Sequence, residues 1–349
     1  MFTRSPLNPL ITPAQVAPSR PDFEVIGTFN AGVTRFGDEV LLLVRVAERP
    51  ISYDADTVQA PYYTAQGELV LKAFDRADRA YDFSDPRKIS HHQTGELYLT
   101  SVSHLRLARS TDGLHFTIDP QPWLTPSGRY EAFGVEDARI TFIDDRYYVN
   151  YTAVSPYGIA TSLVTTQDFR TFERQGIIFP PSNRDVALFP QKIGGQYVCY
   201  HRPMPGFFGS MNIWIASSPD LVRWGDHQVV LESRPGGWDG GRVGGGAPPL
   251  WTEQGWLSIY HAADPNDRYC LGAFLTSHDA PGRVIRQAHQ PILVPEAPYE
   301  TQGFFPNVVF SCGALLDGDR LKVYYGASDE SMALAEASVT EVLSALSEV

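Results

Sequence analysis

Two short sequence units recur along this chain, and they constrain its fold more than any other feature. The first unit is a turn rich in Gly or Asp followed by an apolar or aromatic run, which is typical of a β-hairpin strand. Its five copies begin at Gly37, Asp144, Gly194, Gln254 and Gly318. The second unit is a small polar pair followed by an acid. Its acids are Asp112, Asp168, Asp220, Asp279 and Glu341, the last two in looser copies.

The spacing of these units indicates the size of the repeating structure. The acids at 112, 168, 220 and 279 are 56, 52 and 59 residues apart, about the length of four short strands with their turns. The two units are 20 to 23 residues apart in the later copies but 72 apart in the first, which indicates an insertion at roughly 47–97. The sequence therefore predicts an all-β fold: a five-bladed β-propeller with an insertion in the first blade, formed by residues 1–349 as one domain. A β-sandwich does not predict this repeat.

Charge and composition narrow the class of partner. The net charge of −12 disfavours nucleic acid, because a phosphate backbone requires a basic face. The amino-terminal residues show no signal-peptide pattern, and no run approaches the length of a membrane span. The cysteines Cys199, Cys270 and Cys312 lack disulfide-framework or zinc-site spacing. We therefore expect a cytoplasmic protein without a membrane or nucleic-acid partner.

Basic residues occupy related positions in several hairpins. Alignment of the five hairpins places the following residues together, just past the strand: Arg45, Thr152, Arg202, His261 and Gly326. A propeller presents such positions around one mouth of its channel. Each basic side chain can either pair with a local carboxylate or contribute to a shared anion site.

Neighbouring residues favour the anion site. Arg184 and Asp185 precede one apolar run, and Arg242 precedes the glycine run 244–246. Arg side chains bind phosphate through two parallel charge-assisted hydrogen bonds. The glycine run lacks the P-loop pattern and by itself indicates a tight bulge. The predicted phosphate-binding residues are Arg184, Arg202, Arg242 and His261.

Acidic residues form the other candidate group. Glu136 and Asp137 begin an apolar strand just before Arg139, and acids rarely begin an inward-facing strand unless they are paired or functional. A salt bridge from one of them to Arg139 is therefore an open alternative to a role in chemistry. Asp329 follows another strand end. The chain has neither metal-binding His spacing nor a GxSxG motif, so no metal site or Ser-His-Asp triad is predicted.

Several separated motifs together resemble glycoside hydrolase family 130, which contains the β-mannoside phosphorylases on a five-bladed propeller. The resemblance extends from Asn8 to the last hairpin. The motifs are 134–139 (GVEDAR), 185–190 (DVALFP), 201–203 (HRP), 260–261 (YH) and 324–329 (YYGASD).

The resemblance implies a role for each candidate residue. Asp137 would be the general acid, protonating the bridging oxygen through a hydroxyl of the mannose. Arg184, Arg202 and His261 would bind phosphate together with Arg242, where many members have Lys. The residues assigned to the mannoside are Asn30, Arg45, Glu136, Arg139, Asp185 and Asp329.

The resemblance also implies a reaction: inverting phosphorolysis of β-mannosides, with β-1,2-linked mannobiose or oligomannan favoured by residues 23–32 and 238–246. The products would be α-D-mannose 1-phosphate and a shortened sugar. Inorganic phosphate would be a co-substrate, and no cofactor is expected. A phosphorylase needs no carboxylate to activate water, because phosphate is already an anionic nucleophile that cations can gather.

Three alternatives remain open at this point. They are a phosphorylase of β-1,4-mannosides, a β-mannosidase that uses Asp185 or Asp329 as its base, and a sugar-binding protein without catalysis. The insertion carries a group of residues suited either to an acceptor subsite or to a contact in a homo-oligomer: Tyr53, Asp54, Tyr62 and Tyr63.

Overall fold

Antiparallel β-strands make up most of the computed structural model, which describes residues 2–349. The chain begins with strand β1 (Thr3–Arg4) and a 3-10 turn at Pro13–Gln15. Strands β2 (Phe23–Phe36) and β3 (Glu39–Pro50) follow as a long hairpin. Among residues 2–349, no helix is long and apolar enough to cross a membrane.

The segment between β3 and the next long strand forms two small sheets of its own. One sheet pairs β4 (Thr57–Tyr63) with β5 (Leu69–Asp75), and the other contains β6 (Tyr81–Asp82), β7 (Lys88–His91) and β8 (Leu97–Leu99). A small core of its own includes Ala60, Phe74 and Ile89. Because β3 ends at Pro50 and the next long strand begins at Val102, this segment spans 51–101, whereas the sequence predicted an insertion at roughly 47–97.

The long strands form five antiparallel meanders. The first consists of β2, β3, β9 (Val102–Ser110) and β10 (Thr117–Ile118). The second consists of β11 (Gly134–Ile143), β12 (Arg146–Ser155), β13 (Gly158–Thr166) and β14 (Glu173–Phe179), and a parallel pair between β11 and β9 joins it to the first in one eight-stranded sheet. The third consists of β15 (Asn183–Leu188), β16 (Tyr197–Pro203), β17 (Ile213–Ser218) and β18 (Gly225–Leu231).

The last two meanders contain the helices and the amino-terminal strand. The fourth consists of β19 (Arg242–Gly245), β20 (Leu250–Thr252), β21 (Gly255–Ala263), β22 (Tyr269–Thr276) and β23 (Val284–Gln287). Helix α1 (Pro298–Thr301) leads to the fifth, which consists of β24 (Val309–Asp317), β25 (Arg320–Ala327) and β26 (Ser331–Ser338). Strand β1 pairs with β26. After α2 (Val339–Ser344), strand β27 (Ser347–Glu348) pairs with β23.

Each of the five predicted hairpin units falls in a different meander, and its turn residues explain the local structure. Asp144 and Asp145 both have positive φ angles, 49° and 60°, as a tight two-residue hairpin turn requires. Gly37, Gly194 and Gly318 supply the left-handed residue at three other turns.

The second repeated unit forms the turn between the third and fourth strands of a meander. Asp112, Asp168 and Asp220 each accept hydrogen bonds of 2.8–3.0 Å from the backbone N–H groups two and three residues later. Such side-chain bonds stabilise a turn in place of backbone pairing. The looser copy at Glu341 differs, because it lies in α2, whose first turn is capped by Ser338.

The hydrophobic core consists mainly of five clusters, and each is shared by two meanders. Four of them join consecutive meanders, and the remaining one joins the fifth meander to the first. Representative pairs are Leu43 with Val135, Leu163 with Leu188, Ala187 with Val243, Leu257 with Val323, and Leu334 with Leu42. Burial of each leucine or valine among them contributes about 1.5–3 kcal/mol. The meanders therefore pack in cyclic order, and all of them depend on their neighbours for stability.

Candidate active site

In three of the meanders, the first strand carries a polar residue at a β-bulge. The pairing register shifts at Asn30 in β2, at Asp137 in β11 and at Asp185 in β15. Their φ angles of 50°, 50° and 59° lie in the left-handed region, which Asn and Asp adopt more readily than other residues with a side chain. A bulge redirects a side chain out of the regular alternation of a strand. The three polar groups are therefore positioned by the backbone itself.

The second strand of each meander carries the residue that the hairpin alignment placed at the common position, and this residue lies beside the first strand. In the first three meanders each of these residues pairs with the residue just before the bulge, and in the last two it pairs with the residue at the corresponding position. The pairs are Arg45 with Phe29, Thr152 with Glu136, Arg202 with Arg184, His261 with Gly244, and Gly326 with Phe310. The predicted equivalence of the five positions is thus confirmed. The prediction that they lie just past the strands is wrong, because each second strand extends beyond the apolar run that marks it in the sequence.

A carboxylate cluster forms around Arg45. Asp137 Oδ1 accepts hydrogen bonds from Asn30 Nδ2 at 3.0 Å and from Arg45 Nη1 at 3.1 Å. Arg45 Nη2 donates to Glu136 Oε1 at 2.9 Å, and its Nε donates to Ser103 Oγ at 3.1 Å. One half-buried guanidinium therefore orients both acids of the second meander, and all of the described bonds to the Asp137 carboxylate go to Oδ1.

Burial changes the proton affinity of this cluster. It raises the pKa of Glu136, with Arg45 acting in the opposite direction. It also raises the pKa of Asp329 to about 6, an effect to which the charges of Asp137 and Glu136 add and which Arg45 opposes. Carboxyl groups that share one site cannot all ionise easily. The cluster therefore holds a proton more readily than isolated carboxyl groups do.

A second cluster, rich in cations, surrounds Asp185. Its Oδ2 lies 2.9 Å from Arg202 Nη2 and 3.1 Å from His261 Nε2, while Oδ1 lies 3.2 Å from Arg139 Nη2. All four side chains are buried. Burial alone would raise the pKa of Asp185, but Arg202, His261 and Arg139 hold it well below its usual value. Asp185 is therefore an ionised anchor for the cations and a weak base.

Several nitrogen atoms of this cationic cluster have no hydrogen-bond partner in the described part of the chain. They are Nε of Arg184, Nε and Nη1 of Arg202, and Nδ1 of His261, and all of these atoms are buried. Buried polar atoms in native proteins nearly always have partners. Burial lowers the pKa of His261 to about 4, so its ring is neutral near pH 7. With its Nε2–H directed to Asp185, its Nδ1 is then an acceptor.

Arg139 connects the two clusters. It was open from the sequence whether this side chain pairs with Glu136 or Asp137, and the structure shows neither salt bridge. Its guanidinium instead crosses to Asp185 in the third meander and donates to the backbone oxygen atoms of Gly245, Gly246 and Asp137. Arg139 is therefore a buried support between the clusters, with four partners of its own.

Arg242 lies at the rim of the cationic cluster. Its Nε donates to Tyr269 Oη at 2.6 Å and its Nη2 to Asp267 Oδ1 at 2.5 Å. It is only half-buried, and its charge still affects the proton affinity of Arg202. The structure thus brings all four predicted phosphate residues to one side of the site, with Arg242 already paired to a neighbouring loop.

The glycine run brings two backbones into close contact. A Cβ at Gly244 would lie 2.4 Å from His261 Nε2 and 2.5 Å from Asp185 Oδ2, and one at Gly245 would lie 2.7 Å from the Asp185 carbonyl oxygen. The absence of side chains therefore allows Asp185 and His261 to meet. Gly244 and Gly245 pair with β21 in unbroken register, so the tight bulge predicted from the sequence is not found at these two residues.

The sequence did not indicate two aromatic residues of the site. The Arg45 guanidinium lies 4.5 Å from the centroid of the Phe29 ring, and the Phe310 ring stacks on His261 at 4.0 Å. Phe310 belongs to a different meander from His261, so no local pattern links them. Among residues 2–349, no group of His, Cys, Asp and Glu could hold a metal ion.

Comparison with known proteins gives consistent matches. Residues 91–348 match the profile of glycoside hydrolase family 130, described as β-1,4-mannooligosaccharide phosphorylase. The chain is 52% identical over 339 residues to β-1,2-mannobiose phosphorylase of Listeria innocua, covering 96% of each chain. It is 41% identical over 239 residues to 1,2-β-oligomannan phosphorylase of a Thermoanaerobacter species, covering 67% of this chain and 78% of the other. A solved structure of the L. innocua enzyme with β-1,2-mannobiose has a TM-score of 0.95 at 51% identity, covering 99% of this chain and 98% of the other.

Proposed function

Because the chain belongs to glycoside hydrolase family 130, we propose that it cleaves β-mannosides with inorganic phosphate and inversion of configuration. The products are α-D-mannose 1-phosphate and a sugar shortened by one unit. The names of the two relatives favour β-1,2-mannobiose or β-1,2-oligomannan as the substrate over β-1,4-mannosides. The reaction needs no cofactor in this proposal, since phosphate is itself the nucleophile.

The observation that carries the proposal is the group of unpaired cationic nitrogen atoms beside the carboxylate cluster. Nε of Arg184 and both Nε and Nη1 of Arg202 are buried and have no described hydrogen-bond acceptor. A tetrahedral oxyanion supplies the acceptors that these atoms lack. Neutral His261 accepts the hydroxyl hydrogen of hydrogen phosphate at Nδ1. Arg242 adds positive charge at the rim. The cations stabilise the attacking phosphate electrostatically without proton transfer to a base.

The carboxylate cluster performs the other half of the reaction. Asn30 and Arg45 hold Oδ1 of Asp137, so Oδ2 is left to face the sugar. Asp137 acts as the general acid and protonates the leaving oxygen through a mannose hydroxyl. Glu136 and Asp329 bind hydroxyl groups of the transferred mannose, while Arg139 and Asp185 support this binding from the neighbouring cluster.

Hydrolysis by water is the second candidate, and one observation favours it. Asp329 has a pKa of about 6, which suits a general base. Asp185 is unsuited to that role, because the guanidinium groups of Arg139 and Arg202 and the ring Nε2 of His261 already hold its carboxylate. The unpaired nitrogen atoms beside it have no purpose in a hydrolase, so we favour phosphorolysis.

The same proposal includes the architecture and the compartment. The five meanders are the blades of a propeller, and segment 51–101 is inserted in the first blade. The cyclic order of the core clusters and the pairing of the amino-terminal strand β1 with β26 of the last meander support a closed ring. The three cysteines are free and buried, as suits the reducing cytoplasm. Self-association through 51–101 remains a prediction.

The experiment measures mannose 1-phosphate released from β-1,2- and β-1,4-mannobiose, with and without inorganic phosphate. We expect phosphate-dependent product from the β-1,2 disaccharide and its loss in Asp137→Asn. A matched variant, Asp279→Asn, changes an exposed turn acid that belongs to neither cluster of the site, and it is expected to retain activity. Free mannose at equal rates with and without phosphate would instead establish hydrolysis, and no turnover in the native protein would support a binding role.

A further inference from the structure

A cavity of about 490 Å³ lies between the segment 51–101 and the ends of β2 and β3. Its volume falls in the range of ligand sites. The lining comes from both sides, and the residues important here are Glu24, Arg49, Phe83, Asp85, Lys88 and Thr100. None of them belongs to the two clusters of the active site. The cavity is therefore a separate feature that the proposed reaction does not explain.

The lining matches a neutral ligand with many hydroxyl groups. It has acidic acceptors in Glu24 and Asp85 and basic donors in Arg49, Arg76 and Lys88, so hydrogen-bond donors and acceptors stand side by side. Lys88 makes no side-chain hydrogen bond or ion pair with any described residue, while Arg49 donates to Glu24 at 2.7 Å. Phe83 adds a half-buried aromatic surface. A sugar hydroxyl both donates and accepts hydrogen bonds, so it can use the acids and the bases of this lining together.

One chain of contacts connects this cavity to the carboxylate cluster. Asp85 accepts hydrogen bonds from Arg87 at 3.0 and 2.9 Å, and the Arg87 guanidinium lies 5.7 Å from the centroid of the Phe305 ring. The backbone N–H of Phe305 donates to the Ser328 carbonyl at 2.9 Å, one residue before Asp329. The charge of Asp329 also contributes, after Asp85, to the raised pKa of Arg87.

The strand geometry gives a second connection. Arg45 holds the catalytic carboxylates, and Arg49 lines the cavity four residues later on the same strand, β3. A strand advances about 3.3 Å per residue, so the two positions are about 13 Å apart. A substrate that leaves the reaction centre along β3 therefore reaches the cavity only after its first acceptor sugar.

We propose that the cavity binds the second and later sugars beyond the cleaved bond, which makes oligomannosides better substrates than mannobiose. This inference rests on the proposed function and specifies its substrate class. Phe83 packs against a sugar ring, and Lys88 with Asp85 binds hydroxyl groups. Mannobiose is too short to reach these residues, so they affect only longer chains.

The test compares kcat/KM for phosphorolysis of β-1,2-mannobiose and β-1,2-mannotetraose. We expect native protein to favour the tetrasaccharide about tenfold, the value of one or two hydrogen bonds. Phe83→Ala and Lys88→Ala each reduce this ratio towards one while kcat/KM for mannobiose stays unchanged. Arg79→Ala is the matched control, because Arg79 is an exposed residue of the same segment that does not line the cavity.

A binding measurement separates weaker binding of the longer mannoside from changes in folding or in turnover. Calorimetry of mannotetraose with Asp137→Asn should show weaker binding when Lys88→Ala is added, and unchanged binding when Arg79→Ala is added. Equal kcat/KM for the two mannosides in the native protein would overturn the inference and leave phosphorolysis intact. A Lys88→Ala variant that keeps the native ratio of kcat/KM for mannotetraose over mannobiose would do the same. Failure to release mannose 1-phosphate from either mannoside would remove the proposed function itself.

Discussion

Substitution of Gly244 by Ala tests whether the contact between Asp185 and His261 is needed for phosphate binding. The added Cβ would lie 2.4 Å from His261 Nε2 and 2.5 Å from Asp185 Oδ2, which are themselves 3.1 Å apart. Contacts under 3.0 Å essentially never occur for real Cβ atoms, so the methyl group must separate the two partners. Gly244 does not have a left-handed φ, so backbone strain does not add to the steric conflict.

The expected magnitude follows from the bond that is broken. A hydrogen bond to a charged group contributes about 1.5–3 kcal/mol. If that energy is lost from phosphate binding, KM for phosphate rises about 10- to 150-fold, at 1.4 kcal/mol for each tenfold change. Overpacking of a buried site also lowers the free energy of unfolding by about 1–3 kcal/mol.

The assay is initial-rate kinetics with phosphate varied at saturating mannoside, together with denaturant unfolding. Gly225→Ala is the control, because no atom lies within 4 Å of its added Cβ. We expect the control to match the native protein in both measurements. A native KM for phosphate in Gly244→Ala would refute the assignment of His261, as Asp185 positions it, to phosphate binding.

Three further predictions concern charge. Asp185→Asn leaves buried guanidinium groups without their shared anion and should lower the free energy of unfolding, measured in denaturant, by about 3–5 kcal/mol. The raised pKa of Asp329 predicts that kcat/KM for the mannoside decreases as the pH is lowered below about 6. The same raised pKa lowers the free energy of unfolding as the pH rises from 3.8 to about 6, because the folded protein holds this proton more tightly than the unfolded chain does. Asp329→Asn should remove this loss of stability in unfolding curves. Arg4→Ala takes a 2.8 Å partner from fully buried Glu300 and should cost about 1–3 kcal/mol, whereas Arg35→Ala, at an exposed ion pair, should cost under about 1 kcal/mol in the same unfolding assay.

The hairpins could be predicted from the sequence because their signals are local. A residue such as Asp144 that tolerates a positive φ, next to an aromatic run, is visible within a few positions. The acids of the second repeated unit are equally local, since Asp168 bonds to backbone groups only two and three residues away. Period and turn chemistry together were therefore sufficient for the all-β class and for the five repeated units.

The partners of the site residues could not be predicted in the same way. Arg139 crosses to Asp185, 46 positions later, although two acids lie two and three positions before it in its own strand. Its choice depends on the packing of two meanders and on the bulge that turns Asp137 away, and neither is encoded in the spacing of charges. The contact of segment 51–101 with the second meander, through Tyr63 and Ala132, is also a tertiary effect.

The left-handed backbone at Asn30, Asp137 and Asp185 has a consequence for how this site can be altered. Alanine at any of these positions removes a functional group and also forces an unfavourable conformation that costs about 1–2 kcal/mol. An alanine scan would therefore combine backbone strain with lost chemistry and overstate the importance of the side chain. The exchange of Asp for Asn keeps the backbone and separates the two effects. The same restriction leaves few amino acids open to these positions as the protein diverges, so a new specificity is more easily acquired in the surrounding loops.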